Sequence, residues 1–156
     1  MKKYDFNELI ILDVANNHQG DLKHGLNIIK AMGKVVNDLG MKAALKFQFR
    51  QLDTFIHPDF KKRDDVAHIP RFFSTRLEVK DYEKLIQEVR NQGMIPMCTP
   101  FDEESVDVIE KLDIEIMKIA SCSAMDIPLI ERAAKAKFPT VFSTGGATIT
   151  QIDHGH

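Results

Sequence analysis

The sequence predicts an α/β fold of the (β/α) TIM-type barrel, with about the first five strands present. Three observations carry this. Hydrophobic periodicity switches repeatedly between strand-like and helix-like, which implies parallel strands joined by helical crossovers. The later strand-to-strand repeats run at roughly 20 to 25 residues, tight enough for a barrel whose full circuit takes about 250. Polar side chains gather at the C-terminal end of every predicted strand: Asp13, then Lys46 and Gln48, Thr99, Lys118 with Ser121, and Ser143 with Thr144. A doubly wound, flavodoxin-like sheet is the rival, but its site draws on only a few strand ends beside the switch point. Loading every strand end is how a barrel builds its active face.

The elements follow in order. The apolar run Leu9 to Ala15 has the pattern of a strand buried on both faces. Asp21 is a helix N-cap, and Leu22, Leu26, Ile29, Met32, Val36 and Leu39 recur at helical spacing until Gly40. Lys42 to Gln48 is the second strand. A connection from about Phe49 to Leu77 contains Pro58 and Pro70, and a loop of that length is usually functional or disordered. Lys80 to Asn91 is an amphipathic helix ending at Gly93. "MIPMCT" is the third strand, weakened by Pro96, and "DEESVDVIEKLD" is a helix opened by acids that suit its dipole. "EIMKIA" is a strand, Asp126 to Lys135 a helix, "PTVFST" the fifth strand, and "TITQIDH" the start of a further helix.

Bulk properties exclude several function classes. The 156 residues are 44% hydrophobic and 28% charged with a net charge of −2, ordinary for one globular domain. No basic stripe interleaved with aromatics marks a nucleic-acid partner, because "KKR" at Lys61 to Arg63 is followed at once by Asp64 and Asp65. No apolar run has the length of a membrane span, and "MKKYDFNEL" lacks the apolar core of a signal peptide, so a cytoplasmic location is expected. Cys98 and Cys122 fall in apolar surroundings and are expected to be small core residues; without histidines at ligand spacing they make no zinc site.

The candidate chemistry begins with "ALKFQFR", where Lys46 and Gln48 stand two apart and point to one side of the sheet. Lys46 and Lys118 end alternate strands, so their ammonium groups can converge. With the hydroxyls of Thr99, Ser121 and Ser143 they would cradle a dianionic phosphate or a carboxylate. The plainer alternative is that each lysine snorkels out of the sheet on its own. "STGGAT" offers backbone N–H groups to an anion, although such turns are common. His18 in "NNHQGD" could serve a metal or acid–base role, or simply order its loop. Asp13 is a candidate base or sugar-hydroxyl acceptor; otherwise it is a buried carboxylate bracing a turn.

In order along the chain, "NHQGD", "KFQ", "TPFDEESVD", "MKIAS" and "STGGAT" resemble the N-acetylneuraminate (sialic acid) synthase family, whose members also make legionaminic, pseudaminic and spore-coat sugar acids. The resemblance implies a (β/α)8 barrel that condenses phosphoenolpyruvate with the open-chain aldehyde of an N-acylhexosamine or related aldose. It implies a divalent metal, manganese or magnesium, whose histidine ligands lie beyond this chain, so no metal ligand is assigned here. It implies a homodimer in which a C-terminal antifreeze-like domain, absent here, covers the partner's site. By resemblance, Lys46, Thr99, Ser121 and Ser143 bind phosphoenolpyruvate, and Lys118 does so as a catalytic group. Gln48 contacts the sugar, and Asp13 stands as the second catalytic candidate.

Three departures accompany the match. Asp13 stands where the family has glutamate, and Cys122-Ser123 where it has Gly-Glu, which puts N-acetylmannosamine as acceptor in doubt. The chain also reaches only a fifth strand, so residues 1–156 are expected to be the N-terminal portion of a barrel synthase domain, inactive alone, with Gly155-His156 as a tag remnant. The alternatives are a Schiff-base aldolase using Lys118 or Lys46, and a non-catalytic partial barrel that binds a phosphorylated ligand or a partner.

Overall fold

The computed structural model describes residues 4–154; Met1 to Lys3 and the expected tag remnant Gly155-His156 lie outside the described residues. The elements in chain order are β1 (Ile10–Asp13), α1 (Leu22–Asp38), β2 (Ala43–Phe49), α2 (Leu52–Phe55), α3 (His68–Ser74), α4 (Val79–Asn91), β3 (Ile95–Pro100), α5 (Glu103–Lys111), β4 (Ile116–Ile119), α6 (Ile127–Ala136), β5 (Thr140–Phe142) and α7 (Ile149–His154). All strand pairs are parallel, and the order in the sheet is β1-β2-β3-β4-β5. That order decides between the two architectures. A flavodoxin-like sheet runs 2-1-3-4-5, whereas a barrel sets each strand beside its predecessor. Five parallel strands here form a half-barrel.

Strand alternation sorts the side chains into two layers. Leu45, Phe47 and Phe49 of β2, with Cys98, Met117 and Ile119, pack outward against Ile29 of α1, Leu85, Ile86 and Val89 of α4, Ile109 of α5 and Leu129 of α6. The intervening residues face the barrel interior, where Ala44, Met97 and Ile116 pack with Leu9, Ile95 and Val141. Lys46, Gln48, Thr99 and Lys118 continue that inward series toward the strands' C-terminal ends.

The structure corrects several expectations. β1 is not buried on both faces: Ile10 and Ile11 are 41% and 39% exposed. An apolar run looks the same on an edge as in the centre, and among the described residues β1 pairs only with β2. Pro96 does sit in a central strand, because the β3–β4 ladder begins one residue later at Met97↔Ile116 and Pro96 forfeits no rung. The connection after β2 is neither structureless nor disordered. It folds into α2, a 3-10 turn at Pro58–Phe60 and α3, held by a small cluster of Leu52, Ile56 and Ile69 with Val66 and Phe72. Cys98 is buried as expected, but Cys122 is exposed on the turn after β4.

Candidate active site

The site is the C-terminal end of the half-barrel. Asp13 and Lys46 stand side by side in the β1–β2 register, and Lys46 Nζ lies 2.9 Å from Asp13 Oδ1. Lys46 is almost wholly buried while Asp13 is half exposed, so the pair opens to solvent on the carboxylate side. Asp13 Oδ1 also accepts from the Ala15 amide at 3.0 Å, which fixes the carboxylate at the strand end. Asp13 thus braces the turn after β1, although as a half-exposed carboxylate rather than a buried one.

Lys118 approaches from β4. Its ammonium is held below the usual lysine range, first by burial and then by the positive charge of Lys46, with Asp13 and Cys122 acting the other way. Both lysines belong to the inward rows of the two strands that flank β3. On β3, the strand between the two that carry the lysines, Met97 stands opposite Lys46 and Thr99 opposite Gln48. Thr99 is buried, and its Oγ1 has no hydrogen-bond partner among the described residues. A buried hydroxyl left unpaired at the C-terminal end of a strand is the arrangement expected of a ligand contact.

Ser143 and Ser121 sit on the far side. The Ser143 amide donates to the Ile119 carbonyl at 3.0 Å, carrying the β4–β5 pairing one residue past β5. Ser121 is exposed on its turn, and a Cβ at Gly145 would lie 3.6 Å from the Ser121 Cβ, so the loops after β4 and β5 run in contact. No hydrogen bond among the described residues ties either serine to the lysines. The asparagine–histidine loop after β1 is architectural: His18 is fully buried, with Nδ1 accepting from the Gly20 amide at 3.1 Å and its ring edge-on to Tyr82. Burial lowers the His18 pKa and keeps the imidazole neutral. Gly20 has φ +73°, and a side chain there would meet the Ser74 carbonyl at 2.8 Å, so "NHQGD" seats the long β2–α4 connection.

Sequence reasoning missed Arg50. The inward alternation that runs through Lys46 and Gln48 continues to it, which was the available signal. Its guanidinium lies 3.7 Å from the Phe101 ring centroid and 4.6 Å from that of Phe72, and Nη2 donates to Gln48 Oε1 at 3.1 Å. Beside it opens a cleft of about 210 Å³ lined by Asn16, Gln48, Arg50, Phe72, Tyr82 and Glu104, among others. The cleft does not cover the lysine pair, which lies on the open inner face of the half-barrel; Gln48 is common to both.

The sequence from 35 to 155 matches the model of the NeuB family. The chain belongs to the NeuB family. Among its relatives in that family, an N,N'-diacetyllegionaminic acid synthase of Campylobacter jejuni is 29% identical over 153 residues, covering 93% of this chain and 44% of the relative. A Chromobacterium violaceum structure, provisionally assigned as spore coat polysaccharide biosynthesis protein E, superposes with TM-score 0.92 at 47% identity over 96% of this chain and 44% of that one. An N-acetylneuraminic acid synthetase from Leptospira borgpetersenii gives TM-score 0.76 at 25% identity, covering 94% and 47%. The chain spans less than half the length of these NeuB-family relatives.

Proposed function

We propose that this chain carries the phosphoenolpyruvate-binding part of a sugar-acid synthase, the activity named for its relatives. The observation that supports this most directly is the buried, unpartnered Thr99 hydroxyl on β3, the strand between those that carry Lys46 and Lys118. Two cations and a free hydroxyl suit a small, multiply charged phosphate ester. In the proposed reaction, C3 of the enol attacks the aldehyde carbon of an open-chain N-acylhexosamine or related aldose. Water then adds at C2, and the C2–O bond to phosphate breaks to leave a 2-keto sugar acid and inorganic phosphate. Lys46 and Lys118 offset the donor's negative charge, with Ser121 and Ser143 closing the far side. Gln48 contacts the acceptor. Asp13, held by Lys46 yet open to solvent, is the group that takes a proton from the attacking water.

No group of three or more His, Cys, Asp or Glu among the described residues could hold a metal ion, so no step is assigned to one. The metal expected from the resemblance, the homodimer and the cytoplasmic setting belong to the proposal for the whole protein. No helix among the described residues is long and apolar enough to cross a membrane.

Calorimetric titration of the chain with phosphoenolpyruvate tests the reading. Saturable binding is expected, weakened roughly tenfold or more by Lys46→Ala and by Lys118→Ala, as befits a lost charge-assisted hydrogen bond. Absence of binding by a folded chain would overturn it. A second reading is favoured by the lowered ammonium pKa of Lys118, which suits Schiff-base chemistry. Borohydride reduction in the presence of pyruvate would then trap a covalent adduct at Lys118; an untrapped chain that binds phosphoenolpyruvate leaves condensation as the activity.

A further inference from the structure

The ion pair between Lys46 and Asp13 stands where the proposed donor has to bind. Lys46 is enclosed: only 7% of its side chain is exposed, against 51% for Asp13. In the register its neighbour on β3 is Met97, which carries no charge, and its neighbour on β1 is Asp13. Among the described residues, Asp13 is the carboxylate with which Lys46 forms a salt bridge. An ammonium withdrawn from water is costly to keep without a counter-charge, so this pair lets the empty site hold its lysine.

The carboxylate is held in a way that suits exchange. Oδ1 takes two contacts, Lys46 Nζ at 2.9 Å and the Ala15 amide at 3.0 Å. The amide belongs to the turn directly after β1 and would keep Asp13 at the strand end if the ammonium moved away. Phosphoenolpyruvate brings a carboxylate and a phosphate, oxyanions of the kind that Asp13 already presents to Nζ. Solvent reaches the pair from the more exposed Asp13 side, so an anion arriving at Nζ comes to where the Asp13 carboxylate stands. Two anions on one ammonium repel each other, and the arrival of one weakens the hold on the other.

We propose that Asp13 is the internal counter-anion of the empty donor site, and that an oxyanion of phosphoenolpyruvate displaces it from Lys46. This rests on the condensation reading, which makes Lys46 a donor ligand. The Ala15 amide keeps the displaced carboxylate at the end of β1, beside the donor for which it has made way. One side chain then has two successive roles. It holds Lys46 while the site is empty, and it is free to accept a proton from water once the donor is bound. In the empty protein the ion pair masks that base. The consequence is that neutralising Asp13 strengthens donor binding, because nothing then competes with the ligand for Lys46.

The test is calorimetric titration with phosphoenolpyruvate of the native chain, Asp13→Asn, Lys46→Ala and the double variant. Phosphorus NMR of the ligand extends the measurement to the weaker-binding Lys46→Ala chains. Asparagine keeps an oxygen for the Ala15 amide and lacks the charge. Asp13→Asn is expected to bind about 10-fold more tightly than the native chain, the order of one charge-assisted contact. In the Lys46→Ala background the same substitution should change affinity by less than about twofold. That non-additivity separates competition for Lys46 from the mere removal of a negative charge near an anion, which would act in both backgrounds. Asp13→Ser, also neutral and with an oxygen for the amide, carries the comparison should Asp13→Asn lose its cooperative melt.

Weaker binding by Asp13→Asn overturns the proposal, by making Asp13 a partner that orients Lys46 toward the donor. Equal binding overturns it by making Asp13 a bystander to the donor. So does an equal gain in both backgrounds, which would reduce the effect to charge alone. Each of these leaves the condensation reading standing, whereas a folded native chain that does not bind phosphoenolpyruvate removes both.

Discussion

Lys46 and Gln48 on β2 and Arg50 just past its end recur at two-residue spacing, yet they differ in how they are accommodated. Lys46 is stabilised by Asp13, Gln48 accepts from Arg50, and Arg50 relies on two aromatic faces. The first two were legible in the sequence because polar residues two apart in an apolar strand must share a face. Arg50 was not, since its phenylalanine partners are remote in sequence and only folding brings them together. Residue by residue, His18 gives the clearest pH dependence. Its folded pKa is lowered from 6.5 by burial, so below that value the unfolded chain binds the proton more readily than the native one. Stability is therefore fully present above about pH 6.5 and is lost as the pH falls from there toward the folded value. The lowered carboxylates Asp5, Asp21 and Asp65 titrate beneath this window. Urea midpoints at about pH 7.5 and about pH 5 should differ in the native chain and differ less in His18→Asn, which retains a short acceptor for the Gly20 amide. An unchanged pH dependence in the variant would mean that His18 is not the group responsible.

Among the elements, the motifs that carry the family resemblance divide between chemistry and architecture. In "TPFDEESVD", Asp102 caps α5 through the Ser105 amide and ties the same carboxylate to the Gln51 amide after β2. One side chain thus joins the loops following β2 and β3, next to Phe101 and Arg50. A lost N-cap costs about 1 kcal/mol, and a hydrogen bond of a charged acceptor adds roughly as much again. Asp102→Ala should therefore destabilise the chain by about 2 kcal/mol, lowering Tm by roughly 4–8 °C for a domain of this size. Thermal melts would show it, and a shift under a degree would mean that neither contact matters. The sequence showed an acidic helix opening suited to the dipole; the cap at Asp102 and the bond to Gln51 emerged only in the structure, the latter because it crosses between loops.

For the whole molecule, the exposed side chains of β1 have a direct consequence. β1 and β5 are the sheet edges, and Ile10 and Ile11 present aliphatic surface beside unpaired backbone groups. Such an edge is a template for pairing with another chain. Sedimentation velocity over rising concentration should show association above the 17.8 kDa of a single chain. Ile11→Lys, a charge on the edge, should shift the distribution back toward the monomer, whereas identical behaviour of the two chains would rule out β1 as the contact.

By itself the sequence determined the alternation of strands and helices, the cap at Asp21, and the inward polar row, because periodicity and capping are local properties of a chain. Tertiary structure alone decided the sequential strand order, the exposure of β1 and Cys122, the folded β2–α4 connection and the clamp around Arg50. Each of those depends on which distant residues become neighbours, and burial, pairing and charge compensation exist only once they have met.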